Sequence, residues 1–465
     1  MEEKKKKFQV PHVYILLIGI ILICAILTYI IPAGSYEMMT LESGREVVDP
    51  STYATVDKTP VSLMGFLTSI PRGMIESAQI IFFIFIVGGS FTVLQDTGAV
   101  EAGLGRLIKS MSGAEIIIIP VIMFAFSLGG AVIGMAEETL AFIPIMVSLA
   151  IAMGYDSLTG VGMVLIGAGA GFAGAFMNPF TIGVAQGIAG LPLFSGKGLR
   201  IVLYVIMVAV SALFVMRYAM KIKKEPTLSP MHAVDIARED KIDLENLKPF
   251  GGKEKLILLV FLASIILLIW GVVKQGWYMN EIAALFLGMS MLVAIVGRMG
   301  FNNYAESLGK GMAGIAGGAL VVGIARGILV VMTDGQILHT ILHSAASFLG
   351  TLPSSITAVG MYVFQCLLNF LVPSGSGQAA VSIPIMAPLG DLVGVTRQTA
   401  CLAYQLGDGI SNIFTPTSGY FMAGLALAKI PWAKWAKWFL PLLILQYLIG
   451  AAFVIYAQVT GFGPF

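Results

Sequence analysis

Charge is scarce in this sequence: 12% of its 465 residues are Asp, Glu, Lys or Arg, against 57% that are hydrophobic. Soluble domains carry about a quarter charged residues, so a water-soluble globular fold is excluded. Only three cysteines occur. Cys24, Cys366 and Cys401 lie in apolar segments without pairing or ligand spacing, which leaves no disulfide framework and reads as packing. There is no glycine-rich phosphate loop with its lysine, no Ser-His-Asp arrangement and no nucleotide domain, so ATP-driven pumping and enzyme chemistry have no residues to run on. The strict polar/apolar alternation of a membrane β-barrel is missing as well.

Apolar length is what remains. The mean hydropathy is +0.90, and runs of about 20 residues, enough to cross a bilayer as helices, recur at 13–31, 79–95, 201–219, 255–273, 279–297 and 438–457. The expected class is an all-α, multi-pass integral membrane protein. The first run has the basic start of a signal peptide but is long and lacks a convincing small-residue cleavage site before Tyr36, so it is expected to stay as the first helix. Lys4 to Lys7 precede it, and the loop after it carries Glu37, Glu42, Glu46, Asp49 and Asp57 against Arg45 and Lys58. This places the N-terminus in the cytoplasm and the chain in the cell (cytoplasmic or inner) membrane. The lysine-rich stretch 221–255 reads as a cytoplasmic linker. Trp270 and Trp277 mark an outer turn, and Trp432, Trp435 and Trp438, among Lys429, Lys434 and Lys437, an inner interfacial belt. The net charge of +2 says nothing about partners, and no nucleic acid is expected.

The two halves resemble each other. With an offset of 238 (311 less 73), GMIESAQIIFFIFIVGGSFTVLQD at 73–96 lies over GMAGIAGGALVVGIARGILVVMTD at 311–334, matching Gly73, Met74, Gly89, Val93 and Asp96 to Gly311, Met312, Gly327, Val331 and Asp334. IPIM recurs at 143–146 and 383–386, and MNPFT at 177–181 finds SNIFT at 411–415. Each repeat reads as an interfacial stretch (62–78; 300–312), a spanning helix, a broken hairpin (about 114–153; 354–394), a helix interrupted at an Asn motif and a last span. If the hairpins turn back without crossing, the positive-inside count makes the repeats inverted and brings the two hairpin tips together near the midplane. The expected division is 1–61 for the first helix and outer loop, 62–220 for the first repeat, 221–255 for the linker, 256–299 for scaffold helices and 300–465 for the second repeat.

Four segments break the backbone at membrane depth: 133–142, 175–183, 372–380 and 408–419. Unpaired peptide groups cost several kcal/mol each in lipid, so such breaks survive only inside protein or against a water-filled cavity. Helix ends aimed into one cavity hold a small polar solute or ion. The candidate binding residues are Glu137, Glu138 and Thr139 at the first tip, Asn178 and Thr181 at the first interrupted helix, Ser374, Gly375, Ser376, Gly377 and Gln378 at the second tip, and Asp408, Ser411, Asn412, Thr415, Thr417 and Ser418 at the second interrupted helix. Intramembrane carboxylates are functional hypotheses by default. Glu137, Glu138 and Asp408 favour a cationic group or a coupling Na⁺ or H⁺, while Arg326, deep in a span, would face a carboxylate or pair with one of these acids. Asp96 and Asp334 read as turn residues. His339 and His343 have the spacing of a metal pair but no third ligand, so no metal or other cofactor is expected.

The strings SIPRGMIESAQIIFFIFIVGGSF, MNPFTIGVAQGIAGLPLFSG and VPSGSGQAAVSIPIMAPLGDLVGVTRQTACLAYQLGDGISNIFTPTSG, together with the N-terminal FQVPHVYILLIGIILICAILTYIIPAGSY, resemble the C4-dicarboxylate anaerobic carrier (DcuC-like) family, YfcC-like branch, over nearly the whole chain. The resemblance implies the ion transporter superfamily, with inverted repeats and re-entrant hairpins in an elevator-type transporter fold on a homodimeric scaffold. The branch implies arginine/ornithine exchange, the family name dicarboxylates. Where superfamily anion carriers have Ser-Asn-Thr motifs at both hairpins, this chain has AEET and SGSGQ, which favours a basic amino acid. The expected function is therefore a secondary active antiporter of amino acids, with Na⁺- or H⁺-coupled C4-dicarboxylate transport as the alternative. A passive channel would need the same polar midplane, and a sensor would need a longer output segment than 221–255.

Overall fold

In hydrocarbon a chain can satisfy its peptide groups only within its own segment, and the apolar runs accordingly become helices. A computed structural model describes residues 13–40, 46–110, 115–238, 250–275, 277 and 279–463. Lys4 to Lys7, Glu42, Arg45 and the middle of the 221–255 linker lie outside the described residues. Helix α1 (Val13–Ile30) leads into a loop with four short strands, β1 (Gly34–Ser35), β2 (Met38–Thr40), β3 (Glu46–Val48) and β4 (Ala54–Thr55). They pair antiparallel as β1 with β4 and β2 with β3. These short ladders are an addition to the expected all-α architecture: in the loop between α1 and α2 the backbone pairs with itself, and β3 packs on the second hairpin.

The first half continues with α2 (Leu63–Glu76), α3 (Ala78–Asp96), α4 (Ala99–Ser110), α5 (Ile118–Leu128), α6 (Ile143–Ala152), α7 (Ser157–Val161), α8 (Gly167–Ala173), α9 (Ile182–Ile188) and α10 (Lys197–Lys224). A short α11 (His232–Ile236) precedes α12 (Gly252–Gln275), α13 (Met279–Gly297) and α14 (Phe301–Asp334). The second half ends with α15 (Leu338–Leu349), α16 (Ser354–Leu371), α17 (Gly375–Val393), α18 (Arg397–Ser411), α19 (Gly419–Leu427) and α20 (Trp432–Val459). Eight described helical segments are long and apolar enough to cross a membrane: α1, α3, α10, α13, α14, α16, α20 and Glu115–Ile133, which contains α5.

The expected stretch 300–312 is not a separate element. It is the start of α14, whose 34 residues run about 50 Å. In the first half the corresponding stretch is a helix of its own, because α2 stops at Glu76 and α3 restarts after Ser77. Helix α14 packs along α1, α2 and α3, and α13 packs on α3 and α12. The hairpins and interrupted helices pack mainly on one another: α16 and α17 on α18, α8 on α5 and α18, and α9 on α17. The two groups meet along a seam where α19 lies against α14 and α3, and α4 against α6.

Part of the linker is docked. Ser229 donates to Asp156 Oδ2 at 2.6 Å, Asp235 accepts from the Ser157 N–H at 2.9 Å, and Arg238 bonds both Asp235 and the Ala428 carbonyl at the end of α19. Residues 229–238 are thereby pinned to the start of α7 and the end of α19.

Candidate functional site

Each break persists because side chains take over the hydrogen bonds the backbone gives up. The first hairpin passes from α5 through a π turn (Gly129–Ile133) to its tip and returns through a 3-10 turn (Glu137–Phe142) into α6. Gly134 at the tip has φ +77°, and a Cβ there would stand 2.7 Å from Asn178 Oδ1, so both conformation and space demand glycine. Asn178 donates to the Gly130 carbonyl at 3.0 Å and accepts from the N–H groups of Phe180 and Thr181 at 2.8 and 3.2 Å. It thus ties the tip to the interruption between α8 and α9. Gln405 of α18 donates to the carbonyls of Ala173 and Ala175 at 3.1 and 2.7 Å, and the buried Arg200 donates to Gln405 in turn.

The interruption after α18 is served by tryptophans. Trp435 Nε1 donates to the Ile413 carbonyl at 3.0 Å and Trp432 Nε1 to the Phe414 carbonyl at 2.8 Å. Trp435 is fully buried, and the Trp438 ring packs on Phe214 and Tyr218. Of the expected belt of three tryptophans, Trp435 turns into the protein, where its indole donor serves a carbonyl of the broken helix, while Trp432 and Trp438 are half-buried. Trp270 stays exposed, with its ring edge-on to Trp277.

At the second tip Ser374 caps α17, accepting from the Gly377 N–H at 3.4 Å. Gln378 turns into the hairpin: its Oε1 accepts from Asn369 at 3.0 Å, and its Nε2 donates to the Gln365 side chain and carbonyl at 2.8 and 2.9 Å. Asn369 also donates to Asp408 Oδ1 at 3.0 Å, which accepts from Asn412 at 2.7 Å as well. Asp408 is fully buried and its Oδ2 has no hydrogen-bond partner among the described residues. That oxygen lies 3.2 Å, and the Thr181 methyl 2.8 Å, from where a Cβ on Gly375 would sit. Tyr404 donates to the Gly375 carbonyl at 2.5 Å. The missing side chain at Gly375 therefore lets the tip of α17 come close to the Asp408 carboxylate.

A cavity of about 270 Å³ opens on these elements, close to the lower end of the size range of small-molecule sites. Glu137 and Glu138 form part of its wall, with Thr181, Ser374, Gly375, Ser376, Asn412 and Thr417 from the predicted set. Glu138 Oε2 accepts from the Ala136 N–H at 3.0 Å, which fixes the carboxylate at the tip. The first turns of α17 and α19 contribute Gly375, Ser376, Gly419 and Tyr420 to the same lining, and α19 packs on the Glu137–Phe142 turn. A stripe of α14, Val322, Ala325, Arg326 and Leu329, completes the lining, with Ile80 from α3 and Ser77 from the junction of α2 and α3.

Eight predicted residues stand outside that wall. Asn178, Gln378 and Asp408 are in the frame just described. Thr139 donates to the Ala136 carbonyl at 2.5 Å, Ser411 meets Tyr447 at 2.9 Å, and Gly377 caps onto Ser374. Thr415 and Ser418 are buried with unpartnered hydroxyls, as are the wall residues Thr181 and Thr417. Sequence reasoning missed Asn369, Gln365, Gln405 and Glu76. Glu76 was accessible to the rule that flagged Glu137, being a carboxylate beside an apolar run.

The remaining charged residues find partners away from the tips. Arg326 Nε donates to Glu76 Oε2 at 2.9 Å. Asp334 pairs with Arg72 of α2 and Asp96 accepts from Ser307 at 2.6 Å, so both residues expected only to turn the chain also fasten α14 to its neighbours. His339 Nδ1 accepts from the Tyr36 N–H at 3.2 Å and His343 Nδ1 meets the Tyr36 hydroxyl at 3.1 Å. Among the described residues no cluster of three His, Cys, Asp or Glu side chains could hold a metal ion. A second cleft, of about 430 Å³, lies further along the same seam between α3 and α14 on one side and α6 and α19 on the other.

A multi-pass helical membrane protein with a polar cavity at its helix breaks has the architecture of a membrane transport protein. Residues 10–459 match the family model for the C4-dicarboxylate anaerobic carriers, DcuC, and the chain belongs to that family. It is 37% identical over 498 aligned positions, covering 98% of both chains, to an Escherichia coli K12 protein named "Putative basic amino acid antiporter YfcC". It is 31% identical over 500 positions to an uncharacterized Haemophilus influenzae protein, covering 97% of this chain and 98% of that one. Among solved structures, the Alcanivorax borkumensis YdaH transporter aligns with a TM-score of 0.44 and 17% identity, over 97% of this chain and 99% of that one.

Proposed function

We propose that this protein is a secondary active antiporter that exchanges amino acids, basic ones such as arginine and ornithine, across the cytoplasmic membrane, with its N-terminus inside. The observation that carries this reading is the mixed chemistry of the 270 Å³ cavity wall: two carboxylates from one tip in the same lining as the N-terminal turns of α17 and α19. A carboxylate gains about 0.3–1 kcal/mol at a helix N-terminus, and more where water is excluded. Glu137 and Glu138 receive the cationic group. Peptide N–H groups and hydroxyls at Ser374, Ser376, Asn412, Thr417 and Thr181 receive the carboxylate and backbone amine, and Asp408 acts from beneath Gly375. The E. coli relative's name points to the same solute class.

The two halves are read as inverted repeats. The hairpins and interrupted helices form a body that carries the solute past α2, α3, α13 and α14 in an elevator-like movement, as a homodimer. Exchange needs no coupling ion when both solutes use one site in turn. A second reading, Na⁺- or H⁺-coupled C4-dicarboxylate transport, is favoured by Arg326 in the wall and by the unpartnered oxygen of Asp408, which would serve the anion and the cation respectively. Uptake of labelled arginine into liposomes loaded with ornithine, succinate or buffer, with and without a Na⁺ gradient, separates the two. Acceleration by internal ornithine alone supports exchange, whereas succinate entry driven by Na⁺ with no arginine uptake overturns it.

A further inference from the structure

The wall that α14 presents to the seam differs at its two ends. Near the cavity it carries the Glu76–Arg326 pair, both side chains about 40% exposed (39% and 44%) and joined through Arg326 Nε alone. No other hydrogen bond of Arg326 occurs among the described residues, so its Nη edge is open to the cavity. A guanidinium fork of that kind binds carboxylates with two parallel hydrogen bonds.

The offset of 238 that superposes 73–96 on 311–334 carries Arg326 onto Gly88 and Glu76 onto Gly314. Both glycines line the second cleft, at the other end of the same seam. From Arg326 to Gly314 is 12 residues of one helix, about 18 Å. The sequence repeat therefore equips one end of the seam with a charge pair and leaves the equivalent positions at the other end without side chains.

We propose that Arg326, oriented by Glu76, is a one-sided recognition point. A solute carried along the seam offers its carboxylate to Arg326 in one end state and, in the other, meets a wall where Gly88 and Gly314 stand in place of the pair and the cations are different ones, Arg238, Lys310 and Lys429. Apparent affinity is then set by different groups on the two faces of the membrane. This rests on the moving-body reading above but not on the identity of the solute, because amino acids and dicarboxylates share the carboxylate.

The test is transport kinetics in right-side-out and inside-out membrane vesicles from cells lacking their own arginine uptake, for wild type, Arg326→Gln, Arg326→Lys and Glu76→Gln. Loss of a charge-assisted hydrogen bond is expected to raise KM about ten-fold for Arg326→Gln. A smaller rise is expected for Glu76→Gln, and partial recovery for Arg326→Lys. These changes should appear on one face only, with KM on the other face unchanged. An equal rise on both faces, or none on either, overturns the proposal. Wild-type vesicles that carry succinate but not arginine defeat the amino-acid reading, and the same variants assayed with succinate then decide this proposal. Vesicles that carry neither solute overturn both.

Discussion

Asn369 and Asp408 are 39 residues apart in the chain and 3.0 Å apart in space, the amide of one donating to the carboxylate of the other. With Asn412 on the same oxygen, the contact ties the first arm of the second hairpin to the interrupted helix α18. It also turns the unpartnered Asp408 oxygen toward Gly375.

Asp408→Asn keeps the size and an acceptor oxygen but removes the charge. Uptake in proteoliposomes is expected to fall by at least about ten-fold, since buried intramembrane carboxylates are costly to keep unless used. Thermal unfolding in detergent should stay close to wild type. Unchanged uptake removes Asp408 from the site.

Gly375→Ala pushes a methyl group toward the Thr181 methyl at 2.8 Å and Asp408 Oδ2 at 3.2 Å. Contacts this close cost about 1–3 kcal/mol when packing cannot relax, and KM should rise. Adding Thr181→Ser removes the nearer clash and should recover part of the loss. A double variant no better than Gly375→Ala alone shows that the approach to Asp408 is the decisive one.

Trp435→Phe preserves the buried ring volume and deletes the donor to the Ile413 carbonyl. A buried carbonyl left unpaired costs about 1–3 kcal/mol, so the melting temperature should drop measurably. A Tm equal to wild type indicates that another donor reaches the carbonyl.

Asp156 accepts from Tyr218 at 2.5 Å, Ser229 at 2.6 Å, and the Thr159 hydroxyl and N–H at 2.8 and 2.9 Å. Asp156→Ala leaves these donors without their shared acceptor and should loosen residues 225–238. Limited proteolysis ought to cut the linker several-fold faster than in wild type, and an unchanged cleavage rate argues that Asp235 and Arg238 hold the segment by themselves.

The sequence by itself determined that the chain is helical and membrane-embedded, because apolar runs of bilayer length have no other stable backbone arrangement. It also determined where the helices break. MNPFT, VPSGSGQ and SNIFTPTSG combine residues that cap and turn, and those local preferences act wherever the chain lies. Composition did not determine which breaks share a wall. Thr181, Ser374 and Thr417 come from distant parts of the chain, and only packing brings them to one cavity. Hydropathy likewise does not reveal the hairpins: their first arms, in Glu115–Ile133 and Ser354–Leu371, are apolar and long enough to cross, and that α16 folds back on α17 is a matter of packing. The partners of Arg326 and Asp334, and the inward turn of Trp435, were decided by tertiary structure alone. Hydrogen bonds and ion pairs reach only a few ångströms, and which groups come within that reach depends on helix contacts between residues as much as 303 positions apart.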